Sequence, residues 1–136
     1  MDENLKISLD KALNSGKNVA ENLKEISKIV TKQMVENSKD KGEDLKKSSA
    51  ILFKDIIKSI GELSKVTFEY IKAVGIGINE GLKESGQEDK NLLKMTGDSL
   101  VEGLKGLGEA GLFVTKETAK SVSKTLENIF SGKKDI

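Results

Sequence analysis

The feature that most constrains this fold is the spacing of apolar residues, which recur at steps of three and four along most of the chain. In the first segment the series runs through Leu5, Leu9, Ala12, Gly16, Val19, Leu23, Ile26 and Val30. Such steps place side chains on one face of an α-helix, and that face packs against another helix. The chain has no proline, the usual breaker of long helices. The sequence therefore predicts long amphipathic helices.

Two short polar segments divide this pattern. Gly42 and Gly86 can each take the left-handed conformation that ends a helix, and residues able to cap a following helix lie beside both of them. A chain of 136 residues is long enough for one core. We therefore expect one all-α domain over residues 1–136, an elongated bundle with coiled-coil-like packing. We expect helices over residues 3–38, 44–84 and 87–130, followed by a frayed tail over residues 131–136.

Glycines concentrate within the second and third expected helices, and they allow two interpretations. Four of them fall on apolar faces, where a missing side chain lets two helix backbones approach closely: Gly77, Gly81, Gly108 and Gly111. Alternatively, the glycines interrupt a helix, so that the bundle has four helices instead of three. A phosphate-binding loop is not indicated, because no predicted strand precedes either cluster.

The composition argues against an enzyme. The chain contains neither histidine nor cysteine, which excludes imidazole bases, thiolate nucleophiles and the usual soft metal ligands. Its carboxylates alternate with lysines on the polar helix faces, as solvated ion pairs do. We therefore expect no catalytic, metal-binding or cofactor-binding residues, and no cofactor.

The charge and hydropathy patterns also limit the partners. All 23 basic residues are lysines, and 22 acidic residues are interleaved with them, so no basic stripe favours nucleic acid. No apolar run approaches the roughly 18 residues of a transmembrane helix. The N-terminus lacks the basic and apolar regions of a signal peptide. A cytoplasmic protein is the expectation.

The second segment is apolar around most of its circumference. A helix of this kind is either the middle helix of a bundle or a contact surface, and three thin helices cannot bury all of it. We therefore predict a homo-oligomer or an exposed interaction site. The predicted interaction surface consists of Ile57, Ile60, Phe68, Ile71, Leu104 and Leu107.

Two stretches, residues 114–126 and 16–24, combine lysine, glutamate and small residues on an amphipathic helix. In this composition and amphipathic pattern the chain resembles phasin-type proteins, small helical proteins that coat bacterial storage granules. The resemblance implies a non-enzymatic, self-associating scaffold or coat that binds an apolar surface such as a granule or lipid. The alternative is a small regulatory or chaperone-like module that binds a protein partner in a groove between helices.

Overall fold

A computed structural model of the chain describes residues 3–42, 44–111 and 113–132, and every regular element in these ranges is an α-helix. The all-α prediction is confirmed at this level. Six helices are present: α1 (Glu3–Leu13), α2 (Val19–Lys41), α3 (Leu45–Leu63), α4 (Phe68–Glu84), α5 (Lys90–Glu109) and α6 (Lys116–Phe130). Each expected long helix is thus divided in two, and the expectation of three or four helices is wrong.

The first expected helix is divided at residues 14–18. Gly16 (φ +71°) and Asn18 (φ +50°) both take the left-handed conformation, which glycine and asparagine tolerate better than other residues. The Ser15 hydroxyl donates to the carbonyl oxygens of Ala12 and Lys17 and so closes the turn. Gly16, which the spacing placed in the helical seam, therefore lies in the loop.

Threonine caps explain the other two interruptions. The Thr67 hydroxyl accepts a hydrogen bond from the Tyr70 backbone N–H at the start of α4, and Thr115 does the same for Thr118 at the start of α6. Such N-caps satisfy backbone donors that a helix start leaves unpaired. Before Thr115 the chain reverses with Gly111 at φ +69°.

The two breaks that the sequence predicted are present. Gly42 (φ +62°) follows α2 and Gly86 (φ +85°) follows α4, both in the left-handed conformation. Asp44 and Asp89 are the N-caps of α3 and α5. Their carboxylates accept hydrogen bonds from backbone N–H groups in the first turn.

The six helices form three consecutive hairpins, α1–α2, α3–α4 and α5–α6, stacked side by side. One layer contains α1, α3 and α5, and the other contains α2, α4 and α6, with α2 and α4 the most extensively packed pair. Within the described residues, no helix of the first hairpin contacts a helix of the third. Each hairpin therefore packs only on its neighbours, as in helical-repeat proteins.

The hairpins share a register of 48 residues. The caps Thr67 and Thr115 are this far apart, and so are the starts of α4 and α6. Residues at this interval occupy equivalent buried positions in all three hairpins: Leu5, Phe53 and Val101; Ala12, Ile60 and Gly108; Leu23, Ile71 and Ala119; Ser27, Gly75 and Ser123. At these positions the fold repeats one helical hairpin, while the helix starts vary, since α2 begins 49 residues before α4 and α1 begins 42 residues before α3.

Close approach of helix backbones is confirmed for some of the glycines. A Cβ atom at Gly81 would lie 2.7 Å from the Thr31 Cβ and 2.8 Å from the Lys28 carbonyl oxygen of α2. Gly77 contacts the same helix one turn earlier, and Gly108 lies against Ala119 of α6. Gly111 instead supplies the left-handed turn and has no atom near its missing side chain.

Apolar side chains from all six helices form one core, with Phe53 its largest fully buried member. Among the described residues, none of the helices combines the length and the apolar character that crossing a bilayer requires.

Candidate functional site

The predicted interaction surface lies largely inside the molecule. Ile57, Ile60, Ile71 and Leu104 are fully buried, and Leu107 retains only 3% of its exposure. The sixth residue, Phe68, is half-buried and packs against the same core. In this fold these side chains hold the hairpins together, because the breaks let each helix fold back and cover the apolar faces that long helices would expose.

A different apolar site is open to solvent between α1 and α2. Ile29 is 53% exposed there, and the half-buried Ile26 and Val30 line the same groove. We call this site the neutral groove. It has a volume of about 290 Å³ and is lined by Asn4, Leu5, Ser8, Ile26, Ile29, Val30 and Gln33. None of these residues is ionisable, although one third of the chain is charged.

The neutral groove lies on the outer end of the stack. On α1, Lys6 reaches across to Glu62 of α3 at 3.4 Å, which identifies the side of α1 that faces the next hairpin. On α2, Ser27 and Thr31 contact α4. Helical geometry places the groove residues on the opposite sides of both helices. In this structure, the groove therefore has no hairpin packed over it.

Ion pairs occupy the other side of α2. Lys28 and Lys32 bond to Glu84 of α4 at 3.4 and 3.3 Å. Hydrogen bonds from Lys32 and Lys28 lower the pKa of Glu84, whereas the Glu21 hydrogen bond and the charge of Glu80 raise the pKa of Lys24. These charges follow the α2–α4 contact. The neutral groove itself has no charged residue from α2, whereas Glu25, which pairs with Lys28 at 3.3 Å, lines an adjoining pocket together with Lys11, Ile26 and Ile29.

The opposite end of the stack has a different character. The groove between α5 and α6 is lined by Ala119 and by four charged residues, Lys105, Glu109, Lys116 and Lys120. A further groove, between α3 and α5, contains the exposed Ile51 among charged side chains. Charged linings favour hydration, so both are weaker candidates for an apolar partner.

A second exposed apolar feature lies at the end of α3. Phe113, in the loop before α6, is 42% exposed and takes the left-handed conformation at φ +64°, which is unusual for a bulky residue. Its ring lies over Gly61, where any larger side chain would collide with it. Leu63, the last residue of α3, is also 42% exposed. This pair is called the α3 tip below.

The chemistry available at these surfaces is that of binding. The neutral groove offers aliphatic side chains, two amides and one hydroxyl, none of which titrates near neutral pH. Among the described residues, no three carboxylate side chains are grouped so that they could hold a metal ion. An apolar partner with a few polar groups fits the groove best.

Sequence reasoning missed this site for an identifiable reason. Ile26 and Val30 belong to the seam of the first expected helix and were assigned to internal packing, whereas Ile29 stands outside that seam. The signal that could have found the groove is a second, uncharged stripe on α2: Asn22, Ile26, Ile29 and Gln33.

Comparison of the chain with protein-family models, with curated proteins and with solved structures finds no match in any of the three.

Proposed function

We propose that this protein is a non-enzymatic interaction module that binds a helix of a protein partner in the neutral groove. The observation that carries the proposal is the exposed, uncharged lining of the groove, whereas the adjoining pocket contains Lys11 and Glu25 and the α5–α6 groove contains four charged residues. An amphipathic helix can place its apolar face in such a groove, with anchors spaced three and four residues apart. This is the inter-helix-groove alternative of the sequence analysis.

Exposure and position both support this choice. Ile29 projects from the rim at 53% exposure, while the buried Leu5 and the half-buried Val30 form an apolar floor. Asn4, Ser8 and Gln33 supply hydrogen-bonding groups beside that floor. An apolar floor with a polar rim is the arrangement of a specific protein interface. It also keeps the exposed apolar patch small.

Photo-crosslinking tests the proposal directly. The chain has no cysteine, so Gln33→Cys carries a single benzophenone maleimide at the groove rim. The matched control is Ile7→Cys, because Ile7 is also 53% exposed but is absent from the groove lining. In an extract of the source cells, we expect a specific protein adduct from position 33 and none from position 7.

A third variant connects the adduct to the groove. Adding Ile29→Asp replaces the exposed apolar side chain of the groove with a charge, at a position exposed enough for the fold to tolerate it, and should remove the adduct. Identical adducts from positions 33 and 7, or an adduct that survives Ile29→Asp, contradict a groove-specific partner.

The coat interpretation, in which the protein binds a storage granule or lipid, is a second proposal, and the α3 tip favours it. An exposed phenylalanine held in an unfavourable backbone conformation is often retained for a functional reason. Phe113 and Leu63 could insert into an apolar surface without unfolding the core. The interaction would then use the α3 tip instead of the buried residues first predicted.

Flotation with triolein droplets separates the two proposals. If the α3 tip anchors the protein, Phe113→Ser should reduce adsorption and Ile29→Asp should not. Adsorption that depends on Ile29 alone supports the groove, and adsorption that neither variant changes excludes both surfaces as the anchor.

A further inference from the structure

The internal repeat identifies what kind of surface the neutral groove is. Within the stack, α2 packs against α4 at Gly77 and Gly81. The 48-residue register maps these two positions onto Ile29 and Gln33 of α2. The groove side of α2 is therefore equivalent to the side of α4 on which the preceding hairpin packs.

In the first hairpin the equivalent side of α2 has the large side chains of Ile29 and Gln33 in place of the two glycines. At Gly77 and Gly81 any Cβ would collide with α2, so a helix is already seated there as closely as backbones allow. At Ile29 the same side is open and apolar. Repeat arrays normally close such an end with a polar outer face. The uncharged lining of the neutral groove suits a covering helix better than water, and the charges nearest to it, Lys11 and Glu25 of the adjoining pocket, are one of each sign.

The opposite end of the stack does not suit it as a partner. The α5–α6 groove carries Lys105, Glu109, Lys116 and Lys120. A head-to-tail contact would bury these four charges largely against the uncharged lining of the neutral groove, which is costly, and the charged residues of the adjoining pocket, Lys11 and Glu25, are one of each sign. Head-to-tail contacts also grow into open filaments unless the rotation between copies closes a ring. A face that pairs with itself avoids both difficulties.

We propose that the neutral groove is covered by the same groove of a second copy, in a symmetric dimer. This inference rests on the proposed function and names the partner helix as α2 of another chain. The first hairpins of the two copies then pack against each other. This continues the stacking within each chain, and it ends at two copies because each neutral groove is covered by the other.

Two-fold symmetry fixes which residues meet. In an antiparallel pairing of the two α2 helices, centred midway between Ile26 and Ile29, Ile26 of one copy lies against Ile29 of the other. Asn22 then lies against Gln33, an amide against an amide. No two like charges face each other along this line, because the four positions are uncharged.

Multi-angle light scattering over a concentration series tests the dimer. The wild-type protein should shift from the mass of one chain toward that of two. Ile29→Asp should weaken the dimer about tenfold or more, because it places a charge at the centre of the contact. Ile7→Asp, at an equally exposed isoleucine outside the groove, and Lys120→Glu, at the opposite end, should leave dimerisation unchanged.

Cysteine crosslinking tests whether the Ile29 positions of the two copies lie close together in the dimer. A short bis-maleimide should join two Ile29→Cys chains and leave Ile7→Cys monomeric. A wild-type protein that stays monomeric throughout overturns the inference, as does a dimer that Ile29→Asp does not weaken or one that Lys120→Glu dissociates.

These outcomes separate the inference from the proposed function. A monomeric wild type that still gives a groove-dependent adduct from position 33 contradicts the dimer alone. The absence of any adduct from position 33 contradicts helix binding in the groove altogether.

Discussion

Gly77→Ala tests the close contact of α2 and α4 on which the stack depends. The added Cβ would meet the carbonyl oxygen of Lys24, the Ser27 Cβ at 2.7 Å and the Lys28 backbone nitrogen at 3.1 Å. Two of these atoms belong to the α2 backbone and cannot rotate away, so the helices must separate. Overpacking of this kind costs about 1–3 kcal/mol or more. Alanine returns up to about 1 kcal/mol through its helix propensity.

We therefore expect a net loss of about 2 kcal/mol in the free energy of unfolding, measured by urea denaturation followed by circular dichroism. Gly106→Ala is the matched control, because Gly106 lies within α5 with no atom within 4 Å of the missing Cβ. That variant should gain up to about 1 kcal/mol. If both substitutions stabilise the protein, α2 and α4 are not in close contact at Gly77, and the first two hairpins do not stack in this way.

Three further predictions concern the core and the surface charges. Ile60→Asp places a charge at a fully buried position and should cost more than about 3 kcal/mol in urea denaturation, whereas Lys94→Asp on the exposed face of α5 should stay within about 0.5 kcal/mol. Ser49→Ala removes a fully buried hydroxyl with no hydrogen-bond partner among the described residues, and should raise stability by about 1 kcal/mol; a loss instead would reveal a bound water. Lys32 and Lys28 lower the pKa of Glu84 in the folded state, so its small contribution to stability should be present at neutral pH and disappear as the pH falls below about 4. The free energy of unfolding of Glu84→Gln should therefore differ from that of wild type at neutral pH and converge with it in acid. A difference that stays constant with pH would refute the ion pair.

The helical character of the chain could be predicted from the sequence because it follows from local periodicity. Leu5, Leu9 and Leu23 lie in the predicted series and are all buried. The predicted chain reversals at Gly42 and Gly86 were also identifiable, because glycine at the end of a helical pattern has a known conformational role. These features depend on a few neighbouring residues.

The remaining breaks were harder to predict, since their signals are weak when taken singly. Thr67 caps a helix without a proline or a glycine beside it, and threonine also occurs within helices. The break before Thr115 does include a glycine, Gly111, but the sequence left open whether the glycines interrupt a helix or let helices pack closely. The 48-residue interval between the two threonines would have strengthened both assignments. Gly16 fits the helical spacing, but glycine also suits a left-handed loop position, so the spacing alone could not distinguish a helix from a loop there.

The site was missed because exposure depends on how the helices fold back. Ile60 and Leu104 are as apolar as any interaction residue, but the hairpins bury them. Ile29 is one isoleucine among many in the sequence. It becomes distinctive only when α1 covers one side of α2, α4 covers another, and no hairpin covers the third.

Methyl NMR spectra of isoleucine-labelled protein test the central claim, that the neutral groove is the associating surface, most directly. Ile29 and Ile7 are both 53% exposed and Ile51 is 52% exposed, so the native chain supplies its own controls. As the protein concentration is raised, the account predicts that the methyl resonances of Ile26 and Ile29 shift while those of Ile7 and Ile51 stay fixed. Resonances of Ile29 that never move, or that move together with those of Ile7 and Ile51, would contradict it.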